Sequence, residues 1–256
     1  PIPFESSQTS VPKRADFLLV KSWAALLGTL ISFAPLVHAA ETTYWVGEAH
    51  ESLDPKPSEF NEVYLGGYGI YTFSRGPMES IHDSIYARSL AIRDASSPST
   101  LIMTVIDAVG ISNRTITDIQ DAFKKKFPSF QGTLLISATH THSAPDLQGL
   151  YGWVPSAYLE RLKDKTVTSM ARAYTQQQSA WLYAARGAAI ASNRRGWGYT
   201  DDELTVLQAI STSEPHPVIA TLVNFAAHLP HDPPGKRLVP QREQYQIPTC
   251  QSAGCA

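Results

Sequence analysis

Cysteine is almost missing from this sequence: two occur among 256 residues, Cys250 and Cys255, both within the last seven. No disulfide framework holds the core, and a bond between these two would close only a short terminal loop. Charge is sparse as well, at 17% of residues, and neither sign prevails, with 21 Lys and Arg against 23 Asp and Glu. Without a basic field to grip a phosphate backbone, a nucleic-acid partner is not expected. Long apolar runs are also lacking. Trp23 to Val37 is shorter than the roughly 20 residues a spanning helix needs, and no later run is longer or more apolar. No internal repeat is visible.

What is present is 43% hydrophobic residues, enough to bury a large core in one domain or in part of a larger one. Lys13, Arg14 and Lys21 precede or flank the apolar run, and Val37-His38-Ala39 supplies a small-residue cleavage pattern. Residues 1–39 therefore predict upstream sequence and an export signal, leaving a mature chain from about Ala40 that is secreted or periplasmic.

Glu41 to Arg75 is rich in Pro, Gly and aromatic residues and predicts an irregular, close-packed segment. From Thr100 the rhythm changes. Leu101 to Ile106 has strand length, and Ser112 or Asn113 can cap a helix carrying Ile116, Ile119, Phe123 and Phe127, stopped by Pro128 and Gly132. Thr133 to Ala138 completes a strand-helix-strand unit with a parallel pair. Ser156 can cap a second helix carrying Leu159, Leu162, Val167 and Met170, Trp181 to Ala185 reads as a strand, and Val218 to Phe225 is apolar on both faces, as suits the middle of a covered sheet. The fold class is α/β, a mostly parallel or mixed sheet flanked by helices.

Polar residues fall in an informative place. Asp107, the pair His140 and His142, and His228 each follow the carboxyl end of an expected strand, the edge where open α/β sheets bind ligands. If strand geometry persists, His140 and His142 point to one face. Two imidazoles there suit one shared metal, or one ligand and one substrate contact, against the plainer reading of two polar residues at a strand end. His82 beside Asp83 reads as a ligand or a turn residue, and Arg194 with Arg195 as an anion contact or a solvated pair.

Several stretches, in order, resemble the amino-terminal catalytic part of the neutral/alkaline non-lysosomal ceramidases: Gly66-Gly67-Tyr68-Gly69, Ile81 to Arg88, Ile106-Asp107, Ala138-Thr139-His140-Thr141-His142-Ser143, Asn193-Arg194-Arg195, and Asn224 to His228. The Ala-Thr-His-Thr-His-Ser string is the most specific, and the resemblance covers about Val46 to His228. It implies a zinc enzyme that hydrolyses the N-acyl amide of ceramide. His140 and His228 would be metal ligands, His142 and Arg194 catalytic groups at the reacting carbonyl, and His82 and Asp107 supporting residues. The implied partners are a ceramide-like lipid and, peripherally, a membrane surface.

The family's remaining ligands, a glutamate and a tyrosine farther along, have no counterpart, and the stretch after His228 departs from the family's continuation. Residues 40–228 are thus expected to be an incomplete catalytic domain and 229–256 an irregular tail, in a chain of little or no activity. A hydrolase of another amide or ester, and a non-catalytic remnant, are the alternatives.

Overall fold

The computed structural model describes residues 43–67, 77–150, 152, 154–189, 199–226 and 237–238. The expected export signal, Arg194, Arg195, His228 and both cysteines lie outside them.

The strand-helix-strand unit is present as β4 (Thr100–Ile106), α1 (Asn113–Lys126) and β5 (Gly132–Ala138). β4 and β5 are parallel, in register from Thr100 with Gly132 to Ile106 with Ala138. α1 begins where Ser112 Oγ accepts a hydrogen bond from Thr115 N at 3.2 Å, which satisfies one of the donors a helix start leaves open. Ile119 and Phe123, one helical turn apart, are fully buried. The Phe123 ring meets Phe130 edge-on at 5.2 Å and Tyr174 at 6.0 Å, tying the end of α1 to α2 (Ser156–Thr175). Burial of such a ring contributes about 2–3 kcal/mol.

Ser156 is the first helical residue of α2 rather than its cap. Pro155 holds the cap position with ψ of 142° and no side-chain hydrogen bond. α2 packs on β1 (Tyr44–Ser52) and β3 (Tyr86–Asp94), and small residues let it come close. A Cβ on Gly47 would stand 2.2 Å from Ala173 O, and Ala87, Ser89 and Ala91 form the buried rhythm of β3. A buried hydroxyl chain crosses this contact. Ser169 Oγ donates to Ala49 O at 2.9 Å and lies 2.9 Å from Ser89 Oγ, itself 2.9 Å from Thr104 Oγ1. β1 lies inside the stretch expected to be irregular. Its inward residues, Gly47 and Ala49, have too little side chain to show an apolar period.

The chain returns as β6 (Gln178–Ala188), β7 (Glu203–Ser211) and β8 (Val218–Phe225). Seven strands form one sheet in the order β5-β4-β3-β1-β6-β7-β8. The β4–β5 pair is parallel and the other five pairings are antiparallel. The architecture is thus the mixed form of the expected α/β sheet, accompanied by two α-helices among the described residues.

β8 corrects the sequence reading. Among the described strands it sits at the end of the sheet rather than the middle, with Val218 54% and Val223 36% exposed. No residue of β8 is fully buried, so its mostly apolar pattern does not mark a strand covered on both faces.

The main core lies between the helices and one sheet face. A small second cluster of Val46, Ala180 and Ala209, joined by Leu90, Ile92, Leu182 and Ile219, lies on the other. Within 229–256, Arg237–Leu238 forms a two-residue strand, β9, parallel to β2 (Ser80–Ile81), so that stretch is not wholly without secondary structure. Among the described residues no helix is long and apolar enough to cross a membrane.

Candidate functional site

Because β4 and β5 run in the same direction, Asp107 and the string from Ala138 to Ser143 emerge at one end of the sheet. Thr139 N still donates to Ile106 O at 3.0 Å, after which the ladder stops. His140 takes φ of 62°, a left-handed conformation uncommon outside glycine. The strand period expected to aim His140 and His142 to one face therefore does not persist. The turn brings them together by another route, with ring centroids 4.9 Å apart and planes at 82°. The flanking hydroxyls shape that turn. Thr139 Oγ1 accepts from Thr141 N at 3.4 Å and Thr141 Oγ1 from Ser143 N at 3.3 Å, local bonds that compete with the ladder.

His140 Nδ1 lies 2.6 Å from Val109 O. A carbonyl only accepts, so Nδ1 carries the hydrogen and Nε2 keeps its lone pair. The side chain is exposed. His142 is half-buried against Gly67, where a Cβ would lie 2.2 Å from His142 Nδ1 and where φ is +107°.

The loop after the pair is anchored to the same framework. Gly66 N donates to Ala144 O and Asp146 N to Tyr64 O, both at 2.9 Å. Asp146, fully buried, accepts from Gln148 N, Gly149 N and Gly152 N, each at 3.1 Å. Three N–H donors stabilise a carboxylate that would otherwise be costly to bury.

Asp107 is buried at the start of the β4–α1 loop, paired with Arg88 Nη1 at 2.6 Å. His82 Nδ1 lies 2.7 Å from Asp83 Oδ2. The structure thus joins His140 to His142 directly. Arg194 and His228 fall outside the described residues.

The strand before His228 corrects a further expectation. β8 runs antiparallel to β4 and β5 and occupies the far end of the strand order. An all-parallel arrangement would bring all these strand ends to one edge. Successive hairpins β6–β7–β8, rather than crossover helices, reverse that direction.

Val109, Gly67 and Asp146 were not singled out from sequence as parts of the site. The double glycine 66–67 and the Asp-x-x-Gly pattern 146–149 were the available signals.

No family model matches the chain, and no curated protein does. Among solved structures, one described as a ceramidase complexed with C2 superimposes with a TM-score of 0.61, and neutral ceramidase from Pseudomonas aeruginosa with 0.60. The chain has the fold of part of these ceramidases. Each superposition covers 71% of this chain at 20% identity and 31% of the ceramidase chain, so this chain spans about a third of the length of those ceramidases.

A zinc site asks for imidazole donors held from behind. His140 fits in one respect: Nδ1 is held by a backbone carbonyl, the way ligand histidines are oriented through their other nitrogen. Among the described residues no three His, Cys, Asp or Glu side chains converge as a complete metal set.

Proposed function

We propose that this chain carries part of a zinc amidohydrolase site acting on the N-acyl amide of a ceramide-like lipid, with His140 as a metal ligand, His142 and Arg194 at the reacting carbonyl, and His228 as second ligand on the family resemblance alone, since β8 runs opposite to β5. The observation that carries the reading is the His140 imidazole, held through Nδ1 by Val109 O, with the His142 ring 4.9 Å away. The ceramidase fold supports it, as does the Ala138 to Ser143 string at the end of β5.

Zinc, when bound, polarises a carbonyl and lowers the pKa of water at its open position toward neutrality. The chain's own residues supply the rest. The buried β4–α1 loop holds His140 in one tautomer. His142, braced by Gly67, and Arg194 donate to the carbonyl oxygen as it gains negative charge, where loss of one donor typically costs about a hundredfold to a thousandfold. The apolar groups of the lipid imply contact with a membrane surface, in a protein acting outside the cytoplasm.

Catalytic zinc takes three protein ligands and an open position, whereas the matched residues here are two. The isolated chain is therefore expected to bind zinc through His140 yet turn over ceramide slowly or not at all. The test is zinc titration of the chain and of His140→Ala and His228→Ala, alongside fatty-acid release from ceramide and from short N-acyl amides. Equal zinc affinity in all three proteins would remove the metal reading. Robust turnover abolished by His140→Ala would confirm the site and overturn the expected inactivity. Cleavage of short amides but not ceramide would move the substrate to another amide.

A further inference from the structure

Asp107 is 5% exposed yet carries a carboxylate, and a buried charge persists only where it is paired and hydrogen-bonded. Its Oδ2 accepts from Arg88 Nη1 at 2.6 Å and from Tyr86 N at 2.9 Å. Its own N–H donates to Tyr86 O at 3.0 Å. Asp107 therefore grips both backbone groups of Tyr86, and the Arg88 guanidinium lies 4.7 Å over the Tyr86 ring centroid, closing the clamp from the side chains. The β3–β4 ladder alone already pairs Ala87 with Ile106, so this clamp extends the strand pairing one step into the loop. Ala108 and Val109, both buried, follow directly in the chain. The Val109 carbonyl is the group that His140 Nδ1 meets at 2.6 Å. Val109 is pressed from its other side by Gly66, where a Cβ would lie 2.7 Å from Val109 Cγ1.

We infer that Asp107 is a positioning residue for His140: by clamping Tyr86 and Arg88 it fixes the Val109 carbonyl, which holds His140 in the Nδ1–H tautomer and so leaves the lone pair on Nε2. Neither Asp107 nor Arg88 touches the reacting atoms in this scheme. The inference rests on the reading of His140 as a metal ligand only for its purpose, because the tautomer is a property of the metal-free protein.

The experiment uses the whole chain with its histidines labelled with nitrogen-15, studied by nuclear magnetic resonance without metal at a pH about two units above the ordinary histidine pKa. Wild-type His140 is expected as the Nδ1–H form. Asp107→Asn, which keeps the shape and removes the charge, is expected to shift His140 toward Nε2–H, and Asp107→Ala to do so further. Asp94→Asn, on an exposed carboxylate at the other end of β3 that bonds Ser96, leaves the tautomer unchanged. Zinc affinity, measured by competition with a chelating dye, is expected to fall about ten- to hundredfold in the two Asp107 variants.

If Asp107→Ala does not fold, Asp107→Asn decides. An unchanged His140 tautomer in folded Asp107→Asn, or a wild-type His140 in the Nε2–H form, overturns the inference. A shifted tautomer without zinc binding in any form upholds Asp107 as positioning residue while removing the metal reading.

Discussion

At single residues, the site depends on contacts that leave no room for a side chain. Gly67 has φ of +107°, and a Cβ there would fall 2.2 Å from His142 Nδ1 and 2.4 Å from Cγ. Gly67→Ala must therefore both strain its backbone and displace the imidazole. A loss of about 1–2 kcal/mol is expected from the backbone alone, seen as a lower urea midpoint with altered His142 ring resonances. A stable variant with unmoved His142 signals would show that the ring does not lean on this glycine. Ser169 acts where the helix meets the sheet. Its hydroxyl satisfies Ala49 O and Ser89 Oγ, each at 2.9 Å. Ser169→Ala leaves buried polar groups short of a partner and is expected to cost about 1–3 kcal/mol, with the slope of the urea transition unchanged because the fold is kept.

Among elements, α2 is fixed to the segment after β1 by a clamp at its first turns. Arg161 bonds both carboxylate oxygens of Glu59, at 2.8 and 2.5 Å, and Tyr158 Oη donates to Leu53 O at 2.9 Å. The hydrogen bond from Arg161 holds the Glu59 carboxyl below its ordinary value of 4.5, against burial, which raises it. Since the folded pKa lies below the unfolded one, the stabilisation is present above about 4.5 and is lost as the pH falls through the folded value. Glu59→Gln is therefore expected to lower stability by about 1 kcal/mol near neutrality and to shrink that difference at the acid end. Parallel stability curves for the two proteins from neutral pH to acid would show that the pair has no part in the pH dependence.

At the scale of the whole molecule, the sheet of the described residues ends at β8, a strand of eight residues, Val-Ile-Ala-Thr-Leu-Val-Asn-Phe, without charge, proline or glycine. Such an edge lacks the features that block pairing with another chain. Self-association that rises with concentration is expected, and Val223→Lys, at an exposed position, should reduce it in light scattering without changing the circular dichroism spectrum. Equal scattering from both proteins would mean that β8 is not the associating edge. The sequence by itself determined the β4–α1–β5 unit, because full-length apolar runs, the Ser112 cap and the Ile119–Phe123 face act locally. It also determined which histidines fall at a strand end. β1 and β3 were hidden because the residues they turn toward α2 are Gly47, Ala49, Ala87, Ser89 and Ala91. Only contact with α2 makes that smallness meaningful. The direction of β8 and the meeting of His140 with His142 through a left-handed turn were settled by tertiary structure, since strand pairing and backbone φ depend on groups distant in sequence: Val109 O, Ile106 O and the hairpin partners of β7.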